Sequence, residues 1–391
     1  MITVEKAKRI LLEHARTLPA NDVTLALCGS RYVVSAVTAS YDHPLFDMSA
    51  VDGYALGIAG TDNDWKVVGE IAAGEAMAGE IRIGECARIF TGAMVPVGAV
   101  AVVMQEFVER NGDRIVHNDQ RLRPGSNIRR KGEQAQQGQV ILQAGQRISA
   151  AAKGLLASVG VTSVPVVPGP KVSVILTGDE FTTGPTPPPG KIFGSNDVML
   201  DALLTHAGAI TEFKEVPDDA SQLEQAILSG LGSSDMVLST GGASVGDHDL
   251  VRAVVERCGG KVLFHGVAQK PGKPMLFALF GDKPFFGLPG NPRAVIILFW
   301  EYVLPFLRAV QGAKDPGPKT ELLPIAHDLR VNGDRSEFRA AQVRGGRVTL
   351  LRDEGSHMLA SLIDADALAY LPAQRREWRT GDPVEVHYLP Q

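Results

Sequence analysis

Apolar and charged positions recur at helical spacing through MITVEKAKRILLEHA, residues 1–15, and predict a short amphipathic helix. From His43 the texture changes. Segments such as WKVVGEIAAGEAMAGEIRIGECARIFTGAM set short apolar runs between glycines at nearly every bend, which predicts a β-rich sandwich or barrel. Within it, Asn111-Gly112 between VMQEFV and RIVH predicts a tight hairpin. A helix is expected from about Ser149 to Val159, stopped by Gly160.

A different rhythm starts at Pro170. KVSVILTG reads as a buried strand. A helix around 196–207 follows, with Ser195 or Asn196 as its cap. Then come the strand AITEFKEV, a helix at 219–230, the strand DMVLST and a helix at 247–258. Strands alternating with helices predict a parallel sheet in a three-layer α/β domain. Ligands of such sheets sit beyond the carboxyl ends of the strands. After about Asp315 the pattern returns to β and predicts a small C-terminal β-domain, reached through GAKDPGPKT.

The chain has 391 residues, room for several domains. Its net charge of −5 argues against a basic nucleic-acid binder, so an anion site would have to be local. The three cysteines are far apart without a CxxC, and no HExxH occurs, which disfavours a disulfide framework or a structural zinc. The longest strongly apolar run, 294–300, is too short to span a bilayer. A cytoplasmic protein without membrane or nucleic-acid partners is expected.

Candidate chemistry concentrates between Ser234 and Pro292. STGGASVGD (239–247), KPGKP (270–274) and GLPGNP (287–292) each follow a predicted strand. Glycines admit a ligand to backbone N–H groups, and Lys270 and Lys273 would hold a diffuse oxyanion as point charges. Asn291 and Pro292 suit a helix start, whose N-terminus also favours an anion. Each motif alone is also explained by an ordinary turn. The same holds for Glu180 in TGDE, which could bind a divalent metal, and for Asp47 and Asp52 in PLFDMSAVDGYA. The cations of QRLRPGSNIRRKGE read as a solvated face. Asp247, His248 and Asp249 are adjacent, so their side chains point apart and make a poor metal site.

In order along the chain, PLFDMSAVDGYA, TGAMVP, VVMQE, NIRRKGE, VILTGDE, STGGASVGDHDLV, KPGKP, GLPGNP and GSHML resemble the MoeA family. These are the molybdopterin molybdotransferases, which include the C-terminal domain of gephyrin. The ordered set covers nearly the whole chain. The resemblance implies an α/β plus β multidomain subunit. Its parts are a small helical N-terminal part (1–43 and 137–168), an interrupting β-domain (44–136), a molybdopterin-binding α/β domain (169–313) and a C-terminal β-barrel (314–391). It implies a homodimer whose site lies between the α/β domain of one chain and the interrupting domain of the other.

The implied reaction inserts molybdate into adenylated molybdopterin. A divalent cation, Mg2+ or Zn2+, assists cleavage of the adenylate, and AMP leaves. Asp52, Glu180 and Asp249 match family acids tied to the metal and the pyrophosphate, and Lys270 matches a site lysine; these four are the expected catalytic set. Thr91, Gly92, Asp218, Ser239, Gly241, Gly242, Ser244, Lys273, Pro289, Gly290, Asn291, Arg339 and Ser356 are the expected substrate-binding set. Implied partners are a protein that supplies the adenylated molybdopterin, and recipient molybdoenzymes or their chaperones.

The chain departs from the family pattern at four places. Gln134 and Val100 stand where acids are usual, Gly266 where a lysine is usual, and Arg293-Ala294 follow PGNP. Arg293 is expected to supply the cation that Gly266 lacks. Gln134 and Gly266 favour an alternative, a paralogue that binds molybdopterin or the finished cofactor as a carrier without turnover. The retained Asp52, Glu180, Asp249 and Lys270 oppose it.

Overall fold

The computed structural model describes residues 1–390 apart from 62–63, 183–184, 243–249, 353–354 and 356–357. Its centre is a six-stranded sheet in the order Ile210–Val216, Lys171–Thr177, Met236–Thr240, Lys283–Leu288, Leu276–Phe280 and Lys261–His265. The first four strands run parallel, and Leu276–Phe280 runs antiparallel to both of its neighbours. Side chains alternate between the faces, as the period of two requires. Val172, Val174, Met236 and Leu238 pack on one side, with helix Asn196–His206 and the helical stretch after Pro292. Ile175 and Val237 pack on the other, with helices Ala220–Ser233 and Leu250–Arg257. This is the expected three-layer domain. From Lys171–Thr177 the chain moves to one neighbour, then crosses back to the other. The reversal opens a crevice at the carboxyl ends of the central strands.

Local chemistry sets the helix boundaries. Ser149 caps helix Ala150–Ser158 by accepting from the Ala152 N–H at 3.1 Å. Asp219 caps Ala220–Ser233 in the same way. Asn291 Oδ1 accepts from the N–H groups of Arg293 and Ala294, and Pro292 opens the helix where its missing N–H costs nothing. That helix is not continuous α. Pro292–Leu298 gives way to a π turn at Phe299–Val303 before Leu304–Val310. Pro305 cannot donate to the carbonyl four residues back, so the hydrogen-bond ladder shifts just before it.

Two β units flank the α/β core. Between residues 53 and 117 a six-stranded sheet runs in the order Ala101–Met104, Gly53–Leu56, Glu85–Ile89, Trp65–Ile71, Arg114–His117 and Val108–Asn111. Its last pair is the expected hairpin, with Asn111 opposite Arg114. The C-terminal unit orders Arg347–Leu350, Ser336–Arg344, Ala367–Leu371, Pro383–Tyr388 and Thr320–Pro324. A bridge from Ile325 back to Val348 closes it into a barrel. Gln269–Lys270 adds to this barrel's Ser336–Arg344 strand in parallel, with Lys270 opposite Glu337.

A further core gathers Leu25, Cys28, Val33 and Val37 with Ile148, Leu156, Val164 and Val166. The first helix, Val4–Glu13, does not join it. Capped by Thr3, it buries Val4, Ala7 and Leu11 in the large core shared by the α/β domain and the barrel's Phe338 and Leu368. No helix among the described residues is long and apolar enough to cross a membrane.

Candidate functional site

The expected site residues fall into three groups. The largest lies at the carboxyl edge of the parallel strands, around a cleft of about 750 Å³. Thr177, Gly178 and Asp179 line it from one strand end, Val216 and Pro217 from the next, and Thr240 and Gly290 from the other two. Phe181, Phe193 and Asn196 complete its wall. The turn after Thr240 is held tight against its neighbour. Gly241 has φ +92°, and a Cβ there would fall 2.6 Å from Thr177 Oγ1, so only glycine fits. Gly290 packs beside this turn, where a Cβ would stand 3.5 Å from the Gly241 Cα, an ordinary contact.

Hydrogen bonds lock three of these strand ends and the helix start at Asn196 together. Thr177 Oγ1 donates to the Thr240 carbonyl at 3.5 Å, and Thr240 Oγ1 donates to the Pro289 carbonyl at 3.3 Å. Asn196 Nδ2 donates to Thr240 Oγ1 at 2.9 Å and to the Gly290 carbonyl at 2.8 Å. Ser239 is wholly buried within its strand and its hydroxyl has no partner, so Thr240 presents the hydroxyl to the cleft instead. Asn196 was not singled out by the sequence beyond its suitability as a cap. Its helix is preceded by Ser195, whose side chain makes no capping bond. Ser244 and Asp249 lie outside the described residues.

Acidic groups gather on this edge. Partial burial raises the Asp218 carboxyl above its ordinary pKa, and the charges of Asp179 and Glu180 raise it further. A cation among these exposed carboxylates would relieve the repulsion. All the donors are oxygens, which suits a hard ion such as Mg2+ better than Zn2+. Among the described residues no group of three His, Cys, Asp or Glu side chains is arranged to hold a metal unaided. The set therefore fits a cation shared with a ligand's phosphates, not an enclosed one.

The second group lines a cavity of about 380 Å³ between the α/β domain and the barrel. Lys270, Lys273, Pro289, Asn291, Arg293, Arg335 and Arg339 face it, with Glu337 as the carboxylate. Glu337 is 4% exposed and is held by Arg339 Nε at 2.7 Å. Lys270 Nζ stays 3.9 Å away, its side chain half exposed. The cavity is thus net cationic and suits a small dianion. Arg293 lines it but is 3% exposed, and its guanidinium donates to the Met358 carbonyl and to Ser361 Oγ, both at 2.7 Å. Its charge clamps the helix to the barrel. Gly266 lies where the N-terminus packs: Ile2 N donates to its carbonyl at 3.1 Å. Its φ of +88° would strain a lysine there. Ser356 lies outside the described residues.

The third group lies on the interrupting sheet. Asp52 Oδ1 accepts from the Thr91 N–H and the Thr91 hydroxyl, both at 2.8 Å. The backbone bond and then the hydroxyl hold its carboxyl below the usual aspartate range, with Arg88 adding to the effect. Gly92 follows in the same turn, its N–H bonded to the Ser49 carbonyl. Asp47 is spent differently, on Arg130 and the Lys131 N–H. The carboxyl-edge cleft is lined by residues 176–290 alone, so the structure does not bring Asp52 and Thr91 to it within one chain. Gln134 and Val100 also belong to this region, Gln134 exposed and Val100 half-buried.

Comparison with known proteins covers the chain in three consecutive pieces. Residues 2–160 match the MoeA N-terminal region (domain I and II), 173–309 a probable molybdopterin binding domain, and 323–389 the MoeA C-terminal region (domain IV). A molybdopterin molybdenumtransferase of Nostoc sp. is 33% identical, over 94% of this chain and 88% of its own. One from Bacillus subtilis is 33% identical, over 98% and 93%. The crystal structure of a molybdopterin biosynthesis MoeA protein from Pyrococcus horikosii superposes over the full length of both chains, with a TM-score of 0.82 and 29% identity.

Proposed function

Because the chain belongs to the MoeA family, we propose that it is a transferase of molybdenum cofactor biosynthesis. It inserts molybdate into adenylated molybdopterin, cleaves the adenylate and releases AMP. One observation carries the reading: a cleft of ligand size sits at the carboxyl edge of the domain that matches molybdopterin binding, in a chain matched from end to end.

The residues divide the work by charge. The Thr240–Gly242 and Pro289–Asn291 turns take the pterin and its phosphate against backbone N–H groups and the helix start at Pro292. Lys270 and Lys273, with Arg339 fixed by Glu337, draw in molybdate. Glu180 and Asp218, with Asp249, would hold a divalent cation. That ion would neutralise charge as the anhydride breaks. Mg2+ suits the oxygen donors. Asp52, kept ionised by Thr91, joins from a second copy of the chain, because its own chain's cleft does not include it. The working unit is then a homodimer, and the partition at 43, 136, 168 and 313 separates the parts that meet. Retention of Asp52, Glu180, Asp249 and Lys270 favours turnover over a carrier role.

The test incubates purified protein with adenylated molybdopterin, molybdate and Mg2+. Molybdate-dependent AMP release with molybdenum bound to pterin is the expected result. Tight pterin binding with no AMP would overturn the transferase reading. Light scattering measures the dimer, and loss of activity on dilution to monomer is the expected companion result.

A further inference from the structure

Asn196 is a polar side chain whose hydrogen bonds do not close. It is 7% exposed and sits at the start of helix Asn196–His206, on the wall of the carboxyl-edge cleft. Both Nδ2 hydrogens are committed, to Thr240 Oγ1 at 2.9 Å and to the Gly290 carbonyl at 2.8 Å. Oδ1 is buried and has no partner among the described residues. The amide cannot be turned over. A flip would set Oδ1 against the Gly290 carbonyl, acceptor against acceptor, and that carbonyl fixes the orientation, since the Thr240 hydroxyl can pair with either atom. The oxygen is therefore a fixed acceptor. Folded proteins rarely leave one buried and unpaired, because the lost hydration is not returned. The exceptions are expected where a ligand supplies the donor.

The ligand group that answers it must carry N–H. Phosphate and molybdate oxygens at neutral pH are acceptors, and this atom repels them. The neighbouring Asp197 Oδ1, also on the cleft wall, is likewise buried and unpartnered, so this corner offers acceptors and asks for donors. Phe181 and Phe193 border the same cleft and are 36% and 57% exposed, which leaves aromatic faces available to a flat ring.

We infer that Asn196, its amide locked by Thr240 and Gly290, is a recognition residue whose Oδ1 reads the N–H edge of an aminated heterocycle in the carboxyl-edge cleft. This rests on the functional reading above. The substrate offers two such rings, the aminopyrimidinone of the pterin and the adenine of its adenylate.

The experiment deletes the donor from the ligand and the acceptor from the protein. Binding to the full chain is measured by calorimetry for two pairs. AMP is compared with purine riboside monophosphate, which lacks the 6-amino group. A pterin is compared with its lumazine counterpart, in which a carbonyl replaces the 2-amino group. The wild type should bind the aminated member of one pair about 10-fold more tightly, and which pair responds identifies the ring that Asn196 reads. Asn196→Leu should erase that preference.

Equal binding of both members of both pairs by the wild type would overturn the inference without any variant. A preference unchanged in Asn196→Leu would also overturn it. AMP release that proceeds normally in the wild type, with no preference in either pair, removes the assignment of Asn196 and leaves the transferase intact. Failure of that release removes the functional reading itself.

Discussion

Two clusters of charge can be set side by side. Behind the barrel, Glu301 is 1% exposed in the π turn and is surrounded by donors. Lys8 Nζ lies 2.5 Å from it, and His387 Nδ1 contacts both carboxylate oxygens at 2.8–2.9 Å. His387 Nε2 turns to Glu385 at 3.0 Å. At the carboxyl edge, Asp179, Glu180 and Asp218 repel one another, and among the described residues no ion pair engages them. The first cluster is complete within the chain and joins three segments distant in sequence. The second faces solvent at the edge where the cation is proposed. Charge that the protein neutralises is architecture. Charge that it leaves open marks where a ligand belongs.

That contrast breaks first at Glu301. Glu301→Ala removes the buried carboxylate that Lys8 and His387 share, leaving His387 with Glu385 alone, and should lower stability by about 3 kcal/mol, seen as an earlier midpoint in urea. A loss under about 1 kcal/mol would show the cluster to be dispensable. The pH dependence has a definite sign. Burial pushes the Glu301 carboxyl up, but the His387 hydrogen bond and the Lys8 charge outweigh it and hold the pKa below its ordinary 4.5. The stabilisation is complete above that ordinary value and is lost as pH falls through the lower folded value. Glu301→Gln should flatten this acid limb.

The open cluster should answer in the opposite currency. Glu180→Gln is expected to cut AMP release about 100-fold, roughly 2.7 kcal/mol of barrier, with the urea midpoint unmoved. An equal loss of both would make Glu180 structural. Lys270→Met should raise the molybdate concentration for half-maximal release about 10-fold, leaving the dependence on adenylated molybdopterin unchanged. The smallest effect belongs to Asp218→Asn. A raised carboxyl pKa opposes folding once the group ionises, so the variant should be more stable at neutral pH. Screening on an exposed edge limits the gain to about 0.5 kcal/mol, and it should vanish below pH 3.8, the ordinary value.

Local patterns in the sequence carried the local structure. The strand and helix rhythm after Pro170, the hairpin at Asn111-Gly112 and the Asn291-Pro292 cap all depend on neighbours within a few residues, and all are found. What stayed illegible depends on distant partners. Nothing in VEKAKRILLE says that Val4, Ala7 and Leu11 pack beside Phe338 and Leu368. The lysine turn reads as a loop, yet Gln269–Lys270 is a strand of the barrel. Asn196 reads as one cap among many, and its value emerges only when Thr240 and Gly290 converge on it. Arg293 could be placed near the dianion cavity from its position after PGNP, but its engagement with Ser361 could not.

The strand at Gln269–Lys270 also bears on how this polypeptide can be dissected. A scissors cut in the linker after Lys314 looks natural on paper. It would strip the barrel of an edge that the rest of the chain donates, and would leave that edge's amides facing solvent. Swapping the segment after Lys314 between relatives carries the same hazard, since the donor and acceptor of this ladder would come from different parents. Modular by sequence, the protein is sewn shut by two residues, and they hold the lysine on which the dianion is expected to land.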